Sequence, residues 1–232
     1  MWNMDEKGFI LGKANRAKLM AHAGWQPPRT THDGTRKLIT VIEACGAKQG
    51  MLPPMVVFKG TAYYKGWYTE VTEDTHAYFA YSPKGYTTDE IGLQWLQKFD
   101  AQTRTELASP PLEYRLLILD GHCSHYNLRF CEYAWENKII LLSYPGHSTH
   151  LLQPLDVGLF SPLQKAYRDA VAAHMKETRT GLTKGAFWSF YCTAQVKTYT
   201  SSNIKSAWRA TGIVPYNPDA VLTKLPGYKP PR

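Results

Sequence analysis

The stretches LLILDGHCSH at 116–125 and HLLQPLDVGLF at 150–160 decide how this chain is read. Each sets one aspartate, Asp120 and Asp156, in apolar surroundings. A third acid, Asp5, stands in WNMDEKGF at 2–9. Three carboxylates gathered by a fold meet the needs of a pair of hard divalent cations, which take oxygen ligands. In two-metal phosphodiester chemistry the ions lie about 4 Å apart, one at the attacking oxygen and one at the leaving oxygen. The three acids therefore read as the centre of a metal-dependent nuclease core.

Outward from these acids the elements follow from pattern. Residues 115–119 form a short continuous run, the mark of a buried strand that delivers Asp120 at its carboxyl end. Residues 128–137 read as a helix, 139–144 as another buried strand and 145–150 as a loop. Ser161-Pro162 with Gln164 reads as an N-cap, a proline at the first helical position and a capping partner. That places a helix start near 162, with Asp156 just before it or in a short preceding helical turn. Upstream, 36–44 and 54–59 read as a hairpin around the turn at 46–50, and 76–81 as a third strand. Thr87 and Glu90 form a capping-box pattern ahead of a stripe of Ile91, Trp95 and Phe99. After 180 the chain reads as helical, with Ile204, Ala207, Trp208 and Thr211 on one side and Gly212 as the stop. The tail from 215 holds five prolines and reads as running loosely over the surface. This order predicts an α/β fold in which acids at strand ends and on an adjacent helix converge at one rim of a mixed sheet.

The same residues resemble a known family. NMDEKGF at 3–9, the run from 33 to 60, YTTDEIGLQWL at 86–96, RLLILDGHCSH at 115–125, HLLQPLDVGLFSPLQKAY at 150–167 and TGIVPYNP at 211–218 are similar to the DDE superfamily endonuclease domain of pogo/Tigger-type, mariner-like transposases, fungal elements in particular. The resemblance implies a ribonuclease-H-like mixed sheet flanked by helices, as a core over 1–180. A helical, proline-rich carboxyl-terminal extension of the same domain would follow over 181–232. It further implies Asp5, Asp120 and Asp156 as catalytic residues and as ligands of Mg2+ or Mn2+, two ions in all. In-line attack by water would cut one strand at a transposon end, and the freed 3′-hydroxyl would then attack target DNA, at TA dinucleotides. DNA is the implied partner, a homodimer the implied assembly of a complete transposase, and the nucleus the implied place of action.

Composition agrees with this. The 232 residues are 44% hydrophobic, enough for a sizeable core. The four cysteines, Cys45, Cys123, Cys131 and Cys192, have neither CxxC spacing nor the density of a disulfide scaffold, which fits a reducing compartment. No apolar run of about 18 residues and no leader pattern is present, so no membrane partner is expected. A net charge of +8 suits a polyanion.

Plain structural alternatives stand beside each reading. Asp120 before Gly121 fits a strand-ending turn, Asp156 after Pro154 a helix cap, and Asp5 beside Glu6 a solvated pair. His122, His125, His147 and His150 flank the central acids at spacings zinc accepts. Hard carboxylate sites favour Mg2+ or Mn2+ instead, leaving these histidines to contact DNA or orient water. Tyr63, Tyr64, Trp67 and Tyr68 crowd a lysine-bearing loop, either to stack on bases or to pack the open face of the hairpin. Lys13, Arg16 and Lys18 read as solvated. Lys37 stands where many relatives carry an acid.

No helix-turn-helix region accompanies the core, and only four residues precede Asp5. The expectation is a truncated or remnant catalytic domain whose Asp5 strand is badly shortened. The alternative is a non-catalytic nucleic-acid-binding protein domesticated from a transposase. A small-molecule phosphohydrolase on the same scaffold lacks any substrate-pocket motif.

Overall fold

The structure is a computed structural model, and it describes residues 1–11, 38–106, 114–121 and 127–228. Lys13, Arg16, Lys18, Lys37, His122 and His125 lie outside the described residues. Seven strands form one sheet: β1 (Trp2–Ile10), β2 (Leu38–Gly46), β3 (Gly50–Met51), β4 (Met55–Lys59), β5 (Tyr78–Ser82), β6 (Arg115–Leu119) and β7 (Ile139–Ser143). Their order is β5-β4-β2-β1-β6-β7, with the short β3 pairing β2. β2 runs antiparallel to β1 and β4, whereas β1–β6, β6–β7 and β4–β5 are parallel. The carboxyl ends of β1, β4, β5, β6 and β7 therefore share one rim of a mixed sheet.

The helices are α1 (Asp89–Glu106), α2 (Leu128–Glu136), α3 (Thr149–Leu152), α4 (Phe160–Thr178), α5 (Phe187–Thr198), α6 (Ser201–Ala210) and α7 (Asp219–Leu222). Alternation along β1 sends Trp2 and Met4 into the core beneath α1 and α2, and Phe9 into the core beneath α4, α5 and α6. Trp2 meets Phe99 edge-on at 5.9 Å, and Phe9 meets Tyr167 and Tyr191 edge-on at 5.0 and 5.6 Å. Asn3, Asp5 and Lys7, in phase with Phe9, belong to the α4–α6 face.

Several expectations are met and several are corrected. β6 covers the predicted residues, and Ile91, Trp95 and Phe99 are buried together. Gly212, with φ of 68°, follows α6 as the expected stop. The strand carrying Asp5 is not short: nine residues of β1 pair with β2, from Trp2↔Gly46 to Ile10↔Leu38. Thr88, not Thr87, caps α1, its Oγ1 accepting from Ile91 N at 3.4 Å; Thr87 is buried instead. Ser161 is no N-cap, because a π-helical turn at Leu155–Leu159 runs straight into α4. Pro162 has no N–H to donate one turn back, so the ladder is relaxed just where the wider turn ends. β7 is a half-exposed edge rather than a buried strand, with Ile140 and Leu142 each 50% exposed.

Beneath α1 an ion pair fixes the start of β6. Arg115 Nη1 lies 2.7 Å from Asp100 Oδ1 and donates to Thr103 Oγ1 at 2.9 Å, both residues being buried. Arg104 and Tyr133 bond the other oxygen of Asp100 at 2.7 and 3.1 Å. A buried pair satisfied from four sides holds one register of β6 against both helices.

Candidate active site

Three different elements supply the acids. Asp5 sits mid-way along β1, the central strand. Asp120 follows the last residue of β6. Since Asn3 pairs with Ile118, Asp5 and Asp120 stand on one level across the β1–β6 ladder. Gly121 then passes so close to β7 that a Cβ there would lie 2.6 Å from Ser143 Oγ, which accounts for the glycine after the acid. Asp156 lies in the π-helical turn ahead of α4. All three are half-buried, at the rim rather than in the core.

Asn3 ties the elements together. It is fully buried, donates to Ile118 O at 3.3 Å and accepts from Leu155 N at 3.1 Å. One side chain thus joins β1, the strand that leads to Asp120 and the turn that carries Asp156. Behind that turn, a Cβ on Gly158 would lie 2.7 Å from the Cβ of Ala207, so α6 packs directly on its backbone.

The acids also act on one another electrostatically. The carboxyl of Asp5 is pushed up to about 8, first by burial, then by the charge of Asp156, with Asp120 adding to it. The Glu6 N–H, donating to Asp5 Oδ1 at 2.7 Å, and Lys7 offset only part of this. Lys7 Nζ stands 3.8 Å from Asp156 Oδ1 and 4.8 Å from the centre of the Phe160 ring. Gln153 Nε2 donates to Asp156 Oδ2 at 3.5 Å.

A second acid lies behind the first. Glu43 faces Asp5 in the β1–β2 register and is fully buried. Burial pushes its carboxyl up to about 8, against the hydrogen bond from Tyr199. Tyr199 donates to Glu43 Oε1 at 3.2 Å and Tyr191 donates to the same oxygen, while Oε2 has no partner among the described residues. The buried Tyr144 hydroxyl also lacks a hydrogen-bond partner there, and burial, Cys45, Asp5 and Asp156 all push it up.

The donor set suits a hard cation: carboxylates, one of them pushed up by burial and then by its acidic neighbours, around a half-open rim. It is not closed around a single point, since no group of three or more His, Cys, Asp or Glu among the described residues is arranged to hold a metal ion. His147 and His150 are exposed, on the loop and on α3.

A family model for the DDE superfamily endonuclease matches residues 35–210. The chain belongs to the DDE superfamily endonucleases. The Homo sapiens protein named Pogo transposable element with KRAB domain is 26% identical over 170 residues, 72% of this chain and 26% of that protein. A Cochliobolus lunatus protein named MFS-type transporter clz9 is 37% identical over 226 residues, 97% of this chain and 24% of that protein. The DDE chain thus spans about a quarter of the length of these curated relatives. No helix among its described residues is long and apolar enough to cross a membrane. The mariner Mos1 paired-end complex with Mg aligns with a TM-score of 0.51 at 13% identity, covering 93% of this chain and 55% of that one. The complex with Mn aligns at 0.50 and 14%, covering 91% and 54%. These likenesses show the fold, a ribonuclease-H-like mixed sheet flanked by helices.

Reading the sequence singled out the three acids but missed Asn3, Lys7, Glu43, Tyr144 and Gln153. Glu43 left a signal: a carboxylate inside the apolar run LITVIEACG is rarely buried without a purpose. Asn3 left a weaker one, two residues before Asp5 and hence on the same strand face.

Proposed function

We propose that this DDE endonuclease chain is the catalytic domain of a pogo/mariner-type DNA transposase, cutting and rejoining phosphodiester bonds with two Mg2+ or Mn2+ ions. Asp5, Asp120 and Asp156 are the catalytic residues and the metal ligands in this reading. Its main support is the Asp5 carboxyl, burdened by burial and by the charges of the other two acids. Such crowding costs stability unless a cation joins it. The Mos1 complexes that share the fold were obtained with Mg and with Mn, on paired transposon ends.

When bound, the ions supply charge neutralisation and nucleophile activation at phosphorus. The chain's own part is to hold the acids on rigid supports: β1 at the centre of the sheet, the end of β6, and a turn fixed by Asn3 and α6. Lys7 is the group that must give way, since its ammonium now neutralises Asp156. The basic balance of the chain, +8 overall, serves the DNA backbone. Two chains acting as a dimer in the nucleus complete the reading.

Nicking of transposon-end DNA with Mg2+ or Mn2+, by this chain and by Asp120→Asn and Asp156→Asn, tests it. Metal-dependent cleavage lost in both variants supports the assignment. Cleavage that survives either substitution removes that acid from the site. DNA binding without cleavage, in a chain whose calorimetry shows no metal uptake, favours a domesticated DNA-binding role, for which the Lys7–Asp156 pair is the favouring observation.

A further inference from the structure

Two turns leave the same rim of the sheet at the ends of β4 and β5. Residues 60–68 follow Lys59, and residues 83–86 follow Ser82, with Gly60 N donating to Ser82 O at 2.9 Å to hold the two together. In the first turn the aromatic residues divide into two pairs. Trp67 is buried and tilted on Phe58 at 5.0 Å, and Tyr68 meets Phe79 edge-on at 5.2 Å. These two pack the face of the sheet, the structural role their pattern allows. Tyr63 and Tyr64 do not, being 58% and 50% exposed.

Their rings are nonetheless fixed. Tyr63 meets Tyr81 edge-on at 4.6 Å and its hydroxyl donates to Phe79 O at 3.3 Å. Tyr64 lies 4.8 Å from Trp67, whose ring also meets the ammonium of Lys184, 4.4 Å from its centre. Lys184 also donates to the carbonyl of Lys59 and so clamps the turn to the rim. Exposed rings held by other rings form a stacking platform with little conformational entropy left to lose. Tyr86, 57% exposed, stands on the adjoining turn, held by its carbonyl to Ser82 Oγ at 2.6 Å.

The first turn carries an exposed lysine, Lys65, and the second is followed by the exposed acids Asp89 and Glu90 at the start of α1. Lys65 and Lys84 are exposed on the two turns, and Lys59 is exposed at the end of β4. The acids of the same segment, Glu70, Glu73 and Asp74, come later, where the chain heads for Tyr78 opposite Met55 at the other end of β4. The rings of Tyr63 and Tyr64 lie with the α4–α6 face of the sheet, since Phe58, Trp67 and Tyr68 share that core with Phe9. Lys59, one residue on from Phe58, belongs to the α1–α2 face, as does Gly85, whose added Cβ would lie 2.9 Å from Lys59 Cβ. Lys59 falls on the row of Ile10 and Leu38, five residues beyond Asp5 and two strands across. At about 3.3 Å per residue and 4.8 Å per strand, the two places are roughly 20 Å apart. A strand several nucleotides long spans that distance.

We propose that Tyr63 and Tyr64, with Lys65 beside them, bind an unpaired single strand of DNA, its bases stacked on the tyrosines and its phosphates on the lysine. A duplex hides the faces of its bases, so exposed rings select unpaired DNA, and every base has a face to offer, so sequence matters little. As the place where a strand parted near the acids is held, the platform rests on the transposase reading above. Its test does not, because it needs neither metal nor cleavage.

Fluorescence anisotropy with a labelled oligothymidylate of about 16 nucleotides, a length within the footprint of such stacking sites, and no divalent ion, reads the platform directly. A duplex of the same length is the control. Tyr64→Ala is expected to weaken single-strand binding about tenfold, the usual scale for one stacked base. Duplex binding should change less than about twofold, and Tyr64→Phe should retain parental single-strand affinity, because the ring and not the hydroxyl is used. Unchanged single-strand binding in Tyr64→Ala would overturn the proposal. So would equal losses on single strand and duplex, or a Tyr64→Phe as weak as the alanine variant. Failure here leaves the cleavage test of the acids untouched, and failure of cleavage leaves this binding measurable.

Discussion

Asp5→Asn separates a crowded cation site from an ordinary surface acid. In the metal-free chain the Asp5 carboxyl is pushed up to about 8 from an ordinary 3.8. Between those values the native state keeps a proton that the unfolded chain has lost, so the contribution of Asp5 to stability falls as pH rises. It is fully present below about pH 4 and is lost as pH passes 8. At about 1.4 kcal/mol per pH unit the ceiling is about 6 kcal/mol. Asp5 is only half-buried, and solvent screening brings the expected cost down to about 1–3 kcal/mol. Asparagine resembles the protonated acid and escapes the cost. Glu43, also pushed up to about 8, gives both proteins the same underlying slope, so their difference isolates Asp5.

In thermal melts without divalent ions, Asp5→Asn should match the parent near pH 4 and melt higher by pH 8. A gain of about 2 kcal/mol corresponds to about 4–8 °C for a chain of this size. Adding Mn2+ should reverse the order, stabilising the parent and leaving the variant unmoved. Parental Mn2+ affinity should also climb with pH toward 8, because the metal must displace the Asp5 proton. Parallel melting curves for the two proteins from pH 4 to pH 8 would refute the crowding argument.

Three further outcomes follow from packing. Asn3→Ala leaves the buried Leu155 N–H without its acceptor, for about 1–3 kcal/mol by urea unfolding, and Mn2+ titration should show weaker uptake as the Asp156 turn loosens. Asp100→Ala strands the Arg115 guanidinium in the core and should cost about 3–5 kcal/mol; a loss under 1 kcal/mol would show that water reaches it. Gly158→Ala presses a methyl group onto Ala207 and should cost about 1–3 kcal/mol, with Ala207→Gly in the same chain restoring most of it; simple additivity in this double-mutant cycle would rule out the contact.

Where the sequence could be read, one physical rule governed each element. β6 is a run of apolar residues bounded by an acid and a glycine, and α1 carries its buried stripe at helical spacing, so neither needed tertiary information. Where it misled, two rules competed. Thr87 and Thr88 are both competent caps, and burial of Thr87 decides between them. Ser161-Pro162 looks like a helix start by local chemistry, but the contact of Gly158 with α6 draws the preceding five residues into a helical turn. The apolar composition of β7 says nothing about which strands flank it, so its place at the edge was illegible. Asp120 and Asp156 were legible because they interrupt apolar runs, and Asp5 by its place in the family motif; Asn3 left only its position on the strand face of Asp5, and Tyr144 left nothing local to distinguish it from a solvated residue.

The helices after residue 180 are joined to the site rather than merely packed nearby. Ala207 of α6 touches the turn that holds Asp156, and Tyr191 and Tyr199 of α5 and its cap bond Glu43, which faces Asp5. Phe187 and Tyr191 meet Phe9 on the same strand. Two of the three acids therefore depend for their position on residues beyond 186, through one backbone contact and one buried hydrogen-bond cluster. The placement of Asp120 rests instead on β6 and the Arg115–Asp100 pair, on the opposite face of the sheet. The separation has a consequence for the acid set: a change in α5 or α6 shifts Asp5 and Asp156 relative to Asp120. Chemistry at phosphorus is sensitive to displacements of about 1 Å, so these helices bear on rate as well as stability.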